Sequence, residues 1–189
     1  MMDNDWNVIS DLDLKERDIN ILQIINEEEL TTFTFEGLKR RLKIHQETLS
    51  RILNRLADQE ILKKGNNGYT LTAKAKKLLK SQSSDSNNPT LSLLQTFLPP
   101  QITIEKIISN LKGKWFGTLR WLGYSITNES INLKWITDDG GNIISAVFSQ
   151  GKLHIEAKMI SENDLNTALN ASHQLMGYIT KLISKTGHN

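Results

Sequence analysis

Residues 46–72 read QETLSRILNRLADQEILKKGNNGYTLT, and two patterns meet there. From 46 to about 60, Leu49, Ile52, Leu53 and Leu56 recur at helical spacing and fall on one face. The opposite face carries Glu47, Arg51, Asn54 and Asp58, with Thr48, Ser50 and Arg55 beside it. Such a face offers hydrogen bonds suited to base edges and phosphates: arginine pairs with guanine, and glutamine or asparagine with adenine. An ordinary amphipathic surface helix carries the same stripe, so the helix alone does not decide. The residues after it are more specific. Lys63-Lys64 open a strand, and Gly65-Asn66-Asn67-Gly68 supplies residues that tolerate the positive φ of a tight hairpin. Tyr69-Thr70-Leu71 return as its second strand. Thr72 then caps a helix, AKAKKLLKS, with Ala75, Leu78 and Leu79 inward and Lys74, Lys76, Lys77 and Lys80 outward.

Upstream, Asp13 and Glu16 have capping-box spacing before a stripe of Leu14, Ile19, Ile21, Leu22 and Ile25. Glu27-Glu28-Glu29 place like charge at that helix's C-terminus, where it is unfavourable, so this end is expected to fray or to meet a basic partner. Residues 31–34, three β-branched polar threonines around Phe33, predict a short extended connection. Thr34 caps a second helix, FEGLKRRL, with Leu38 and Leu42 inward and Lys39, Arg40 and Arg41 outside. Gly37 costs that helix about 1 kcal/mol relative to alanine and permits a close approach. Residues 43–45 form the turn, with Ile44 buried and His45 as the cap of the next helix.

The formal net charge of +2 hides an asymmetry. Residues 1–35 hold nine acids and two bases, residues 36–80 twelve bases and four acids, and residues 81–189 nine bases and eight acids. The base excess therefore coincides with the helices and hairpin just described, as a nucleic-acid footprint would; a solvated basic face would carry it too. Cysteine is absent, which excludes disulfides and thiolate metal sites. No apolar run reaches membrane-spanning length, and the acidic start MMDNDWNVISDLD is unlike a signal peptide, so a cytoplasmic, nucleoid-associated location with no membrane partner is expected.

Three helices, a basic hairpin and a further basic helix follow in the winged-helix order. The stretch LSRILNRLADQEILKKGNNGYTLTAKAKKLL resembles the winged helix-turn-helix transcription regulators of bacteria and archaea, in the broad MarR-like and ArsR-like group. The matching features are Leu49-Ser50-Arg51, Leu56 followed by Glu60-Ile61-Leu62, the short hairpin, and Tyr69-Thr70-Leu71-Thr72 leading into a basic helix. The likeness covers roughly residues 12–81. The chain departs from it in three places: the hairpin lacks an Asp/Arg-rich extension, Glu60 stands where a glycine is usual before Ile61, and no cysteine metal-sensing motif is present. The resemblance implies that residues 31–34 pair with the hairpin, that the N-terminal half of helix 46–60 enters the major groove, and that the hairpin, the wing, touches adjacent backbone or minor groove. The DNA-contacting candidates are then Gln46, Thr48, Ser50, Arg51, Asn54 and Arg55 on the helix. His45 joins them at the helix start, and Lys39, Arg40, Arg41 and Lys43 lie toward phosphates. Lys63, Lys64, Asn66 and Asn67 are the candidates on the wing.

Residues 81–90, SQSSDSNNPT, contain no apolar side chain and read as a linker. Residues 91–98 have apolar positions at 91, 93, 94, 97 and 98 and read as a short docking helix, stopped by Pro99-Pro100. Thr103 caps a helix to about Leu111, with Ile104, Ile107, Ile108 and Leu111 on one face and Gly113 at its end. Strands are expected over 115–124, 131–136, 142–149 and 153–159, turning at Asp138-Asp139-Gly140-Gly141 and at Gln150-Gly151-Lys152. Their alternation predicts an antiparallel meander with one wet face. Ser161 and Asp164 form a second capping box, before a final helix to about Lys185. The expected fold is α+β. A winged helix-turn-helix domain spans 1–81, a linker and docking helix 82–100, and a two-layer domain of four antiparallel strands with flanking helices 101–189.

The four histidines, 45, 154, 173 and 188, lack metal-ligand spacing; a site from His154 and His173 is the remaining combination, and no metal or cofactor is expected. No phosphate loop or nucleophile elbow is present, and Asp138-Asp139 reads as turn, so no enzyme is expected. Trp115, Phe116, Trp121 and Tyr124 line either an apolar ligand pocket or a plain core or dimer interface. The expected function is a sequence-specific regulator binding double-stranded DNA, paired with itself as a homodimer because one short recognition helix reads a limited site. The C-terminal part dimerises, takes a small-molecule or protein effector, or both. The alternative is a winged-helix interaction adaptor in a larger assembly.

Overall fold

A computed structural model describes residues 13–80, 90–160 and 165–186 of the chain. Helix α1 (Glu16–Glu27) starts from Lys15, whose N–H donates to the Asp18 carboxylate at 2.9 Å; the cap therefore lies two residues beyond the expected Asp13. Strand β1 (Thr32–Phe33) follows. Thr34 Oγ1 accepts the Gly37 N–H at 3.1 Å and opens α2 (Phe35–Leu42) as its sequence demands. His45 Nδ1 accepts the Glu47 N–H at 3.3 Å at the start of α3 (Gln46–Asp58), which buries Leu49, Ile52, Leu53 and Leu56. Glu60 then adopts a left-handed φ of 57°, the backbone region in which helices commonly end. The ribbon β2 (Leu62–Gly65) and β3 (Gly68–Leu71) leads to α4 (Ala73–Lys80), capped by Thr72 Oγ1 accepting from the Ala75 N–H at 3.2 Å.

Strand β4 (Thr90–Phe97) comes next, then α5 (Ile104–Leu111). The meander is β5 (Leu119–Ile126), β6 (Ser130–Thr137), β7 (Asn142–Ser149) and β8 (Lys152–Met159), and α6 (Leu165–Thr186) closes the fold. The docking helix expected over 91–98 is corrected: through Phe97 these residues pair antiparallel with β8. Their apolar spacing suited either period, and the open edge of β8 decided for strand. Of the expected linker and the second capping box, residues 81–89 and 161–164 lie outside the described residues.

The expectation of a winged helix-turn-helix domain beside a separate four-stranded domain is overturned. The protein is α+β, but its strands form one eight-stranded antiparallel sheet in the order β2-β3-β1-β5-β6-β7-β8-β4. The joint is β1, which uses both of its edges. Thr32 and Phe33 lie opposite Thr70 and Tyr69 of β3 on one side, and opposite Tyr124 and Gly123 of β5 on the other. Two residues with both edges hydrogen-bonded leave no open edge at which the sheet could stop. Glycine makes the approach feasible. A Cβ on Gly123 would lie 2.2 Å from the Thr32 carbonyl oxygen, and one on Gly37 would lie 2.7 Å from Leu122 Cα.

The sheet is covered on both faces. Leu133, Trp135, Ile144, Ala146 and Phe148 share a core with Ile107, Ile108 and Leu111 of α5 and Ala168, Ala171, Leu175 and Ile179 of α6. Ile136 and Ile143, next in sequence to Trp135 and Ile144, and Leu122, next to Trp121 of the same core, point the other way and join the core of α1, α2 and α3. The expected wet face is thus partly dry, because the helices of the N-terminal half pack on it.

Charge reinforces this seam. Glu28, 1% exposed, accepts from Arg41 Nε at 2.9 Å and Nη2 at 2.7 Å, and its second oxygen lies 3.2 Å from Lys158 Nζ on β8. Lys134 Nζ on β6 donates to the Glu28 carbonyl at 2.7 Å. The acidic end of α1 therefore meets its basic partners inside the molecule. Two of them, Lys134 and Lys158, come from the sheet.

Candidate nucleic-acid interface

Helix α3 packs its apolar stripe on α1 and β2 and turns Glu47, Arg51, Asn54 and Asp58 to solvent. The sheet continues on the side of α2, which packs on β5 and β6, so among the described residues this outward face stays uncovered. Gln46 is exposed and its Oε1 lies 3.5 Å from Lys39 Nζ, which also pairs with Glu36 at 3.3 Å. Ser50 is half-buried. Thr48 is half-buried too, and with His45 and Arg17 it lines a groove of about 470 Å³ beside α1. Lys63 and Lys64 on β2, and Asn66 and Asn67 at the ribbon tip, are exposed.

The arginines divide. Arg51 is exposed and forms an i, i+4 ion pair with Glu47. Arg55 turns inward: its Nη2 lies 2.6 Å and its Nε 3.1 Å from the carboxylate oxygens of Asp18, which is wholly buried. Burial alone would raise the Asp18 pKa. The Arg55 hydrogen bond, the Lys15 N–H and the guanidinium charge outweigh it and hold the carboxyl below its usual range. Arg41 is committed to Glu28 in the same way. Lys43 holds a left-handed φ of 53° and approaches the β6–β7 turn, where a Cβ on Gly140 would lie 3.2 Å from its Cε. There its charge adds to the hydrogen bonds from Thr137 and Gly141 that hold the Asp139 carboxyl below the usual range. Of the residues expected at DNA, Arg41 and Arg55 are thus engaged within the fold, and Arg51, Gln46, Asn54, Lys63 and Lys64 face outward.

The four aromatic residues also separate. Phe116 lies in the core, 4.4 Å between ring centroids from Tyr178 and 5.7 Å from Trp135. Trp115, Trp121 and Tyr124 line a cleft of about 580 Å³. That cleft opens between the start of α2, the ribbon tip and β5, so it is not enclosed between the sheet and its flanking helix. Sequence reasoning missed its cations, Lys112 and Arg120. The signal was the spacing of Lys112, Trp115, Arg120 and Tyr124, in which bases alternate with aromatics.

No protein-family model, curated protein or solved structure matches this chain.

Proposed function

We propose that the protein binds double-stranded DNA in a sequence-dependent way and regulates transcription. In this reading the N-terminal half of α3 enters the major groove and Lys63 and Lys64 of the ribbon lie on adjacent backbone or minor groove. A homodimer doubles the site, and association with the chromosome follows. The observation that carries the reading is the uncovered face of α3, bearing Gln46, Arg51 and Asn54, with exposed lysines on the neighbouring strand β2. Of the twelve bases within residues 36–80, Arg41 and Arg55 are paired with Glu28 and Asp18, and the rest add the long-range field such binding needs.

The test is a titration of the full chain against genomic duplex fragments across a salt series, followed by Arg51→Ala on a preferred fragment. Expected are an affinity that falls steeply with salt and a loss of about tenfold with Arg51→Ala, the size of one good base contact. The second reading, an adaptor that contacts protein through the same face, is favoured by one observation: Glu47 and Asp58 stand among the outward residues. Absence of duplex binding at low salt selects it.

A further inference from the structure

The cleft beside the ribbon tip has the parts of a different site. Trp115 is 61% exposed and belongs to neither core. Its indole is nevertheless held in place, because the Arg120 guanidinium stacks 4.7 Å from the ring centroid. Arg120 is itself fixed by Asp138, at 2.7 Å and 2.9 Å, and donates to the Gly117 carbonyl at 2.8 Å and the Leu119 carbonyl at 3.2 Å. With these donors engaged, Arg120 backs the indole and leaves anions to other groups.

Those groups are at hand. Arg40 and Lys112 line the cleft, and among the described residues neither has a carboxylate within ion-pair distance. Lys112 Nζ lies 3.9 Å over the Tyr124 ring, which places its charge beside the aromatic wall. The acid on the wall, Glu36, is occupied by Lys39. Asn66 and Asn67 bring amide donors and acceptors to the rim. An apolar ligand would leave two cations unanswered, and a simple anion would leave the backed indole unused.

We propose that this cleft binds a nucleotide: its base stacks on Trp115, its phosphate meets Arg40 and Lys112, and the ribbon-tip amides read the base edge. The volume of about 580 Å³ suits a ligand of that size. The ligand is a free nucleotide or an unstacked nucleotide of a single strand. The cleft shares Arg40, Asn66 and Asn67 with the residues expected at DNA, whereas Trp115 and Lys112 belong to it alone.

Calorimetric titrations of the full chain decide it, with adenosine and guanosine 5′-monophosphates, adenosine, and a mixed-sequence single-stranded octamer as ligands. Expected is saturable binding at one site, weakened about tenfold by Trp115→Ala, the size of one base–aromatic stack, and also by Lys112→Gln. Monophosphate binding identifies a free nucleotide, and octamer binding alone identifies a strand. Absence of binding by every ligand, or binding indifferent to both substitutions, overturns the proposal. Adenosine binding as tightly as its monophosphate overturns the phosphate assignment. Trp115→Ala is expected to leave duplex affinity unchanged, so failure here and failure of the duplex reading are separable.

Discussion

Arg55 closes on Asp18 with two hydrogen bonds, of 2.6 Å and 3.1 Å, and thereby ties α3 to the first turn of α1. Asp18 also accepts the Lys15 N–H, so one buried carboxylate both starts a helix and clamps its neighbour. Arg55→Ala leaves that carboxylate without its charged partner and is expected to cost on the order of 2 kcal/mol of stability. Denaturant unfolding measures it. Because the folded Asp18 pKa is lowered, its contribution is present above the ordinary aspartate value and fades as pH falls through that value toward the folded one. Asp18→Asn is expected to flatten this acid limb. An unchanged limb would refute the clamp.

Glu28 sets a second expectation. Replacing it with Gln leaves Arg41 and Lys158 facing a neutral group at a buried seam, and about 3 kcal/mol is the expected loss. Lys134, 7% exposed, works in the opposite sense. Burial lowers its pKa, only partly offset by Glu29 and Glu28. A lysine whose folded pKa is depressed binds fewer protons folded than unfolded, so stability rises with pH between the folded pKa and its ordinary value. Unfolding midpoints on the alkaline side are expected to rise for the natural chain, and the rise is expected to vanish in Lys134→Met.

Gly123 tests the continuity of the sheet. Its missing side chain lets the Thr32 carbonyl and Phe33 approach β5, and an alanine there would place Cβ 2.2 Å from that oxygen. Since the obstacle is backbone, a flexible side chain cannot yield to it, and a cost of about 3 kcal/mol is expected. Hydrogen exchange locates the damage: amides of Thr31 and Thr34, which donate to Tyr124 and Leu122 carbonyls at 3.0 Å and 2.9 Å, should lose protection first. Protection loss confined to β8 and α6 would show that β1 does not join the two halves.

These relationships explain what the chain disclosed. Local signals were legible: Thr34, His45 and Thr72 cap the helices they precede, and the α3 stripe is buried as its spacing requires. The Gly-Asn-Asn-Gly tip makes its hairpin. Hydrogen bonds three residues away are written in adjacent letters. The joining of the sheet was not legible, because Phe33 and Gly123 are ninety residues apart and a two-residue strand has no periodicity. The same limit hid the partners of Arg41 and Arg55. Both look like surface bases on their own helices, and only the fold brings Glu28 and Asp18 beneath them. The aromatic cluster was visible as composition, while its division between a core and an open cleft depended on where the ribbon tip came to rest.

Arg51 is the outward arginine of α3, and the fold supplies it with a competitor. Its guanidinium pairs with Glu47 one turn earlier, both side chains being well exposed. An exposed pair of this kind contributes little to stability, so breaking it leaves the fold nearly unchanged. For duplex binding the acid matters more. Glu47 holds the donors that would reach guanine and brings like charge toward phosphate. Glu47→Gln is therefore expected to tighten duplex binding about threefold to tenfold, with a steeper salt dependence, since one more net positive charge meets the backbone. Arg51→Ala is expected to weaken it, and the double variant should show no benefit from Glu47→Gln beyond the charge change. Anisotropy titrations of the four proteins close the cycle. Equal gains from Glu47→Gln with and without Arg51 would mean that the acid acts on phosphate alone, and would count against the proposed base-reading role of Arg51.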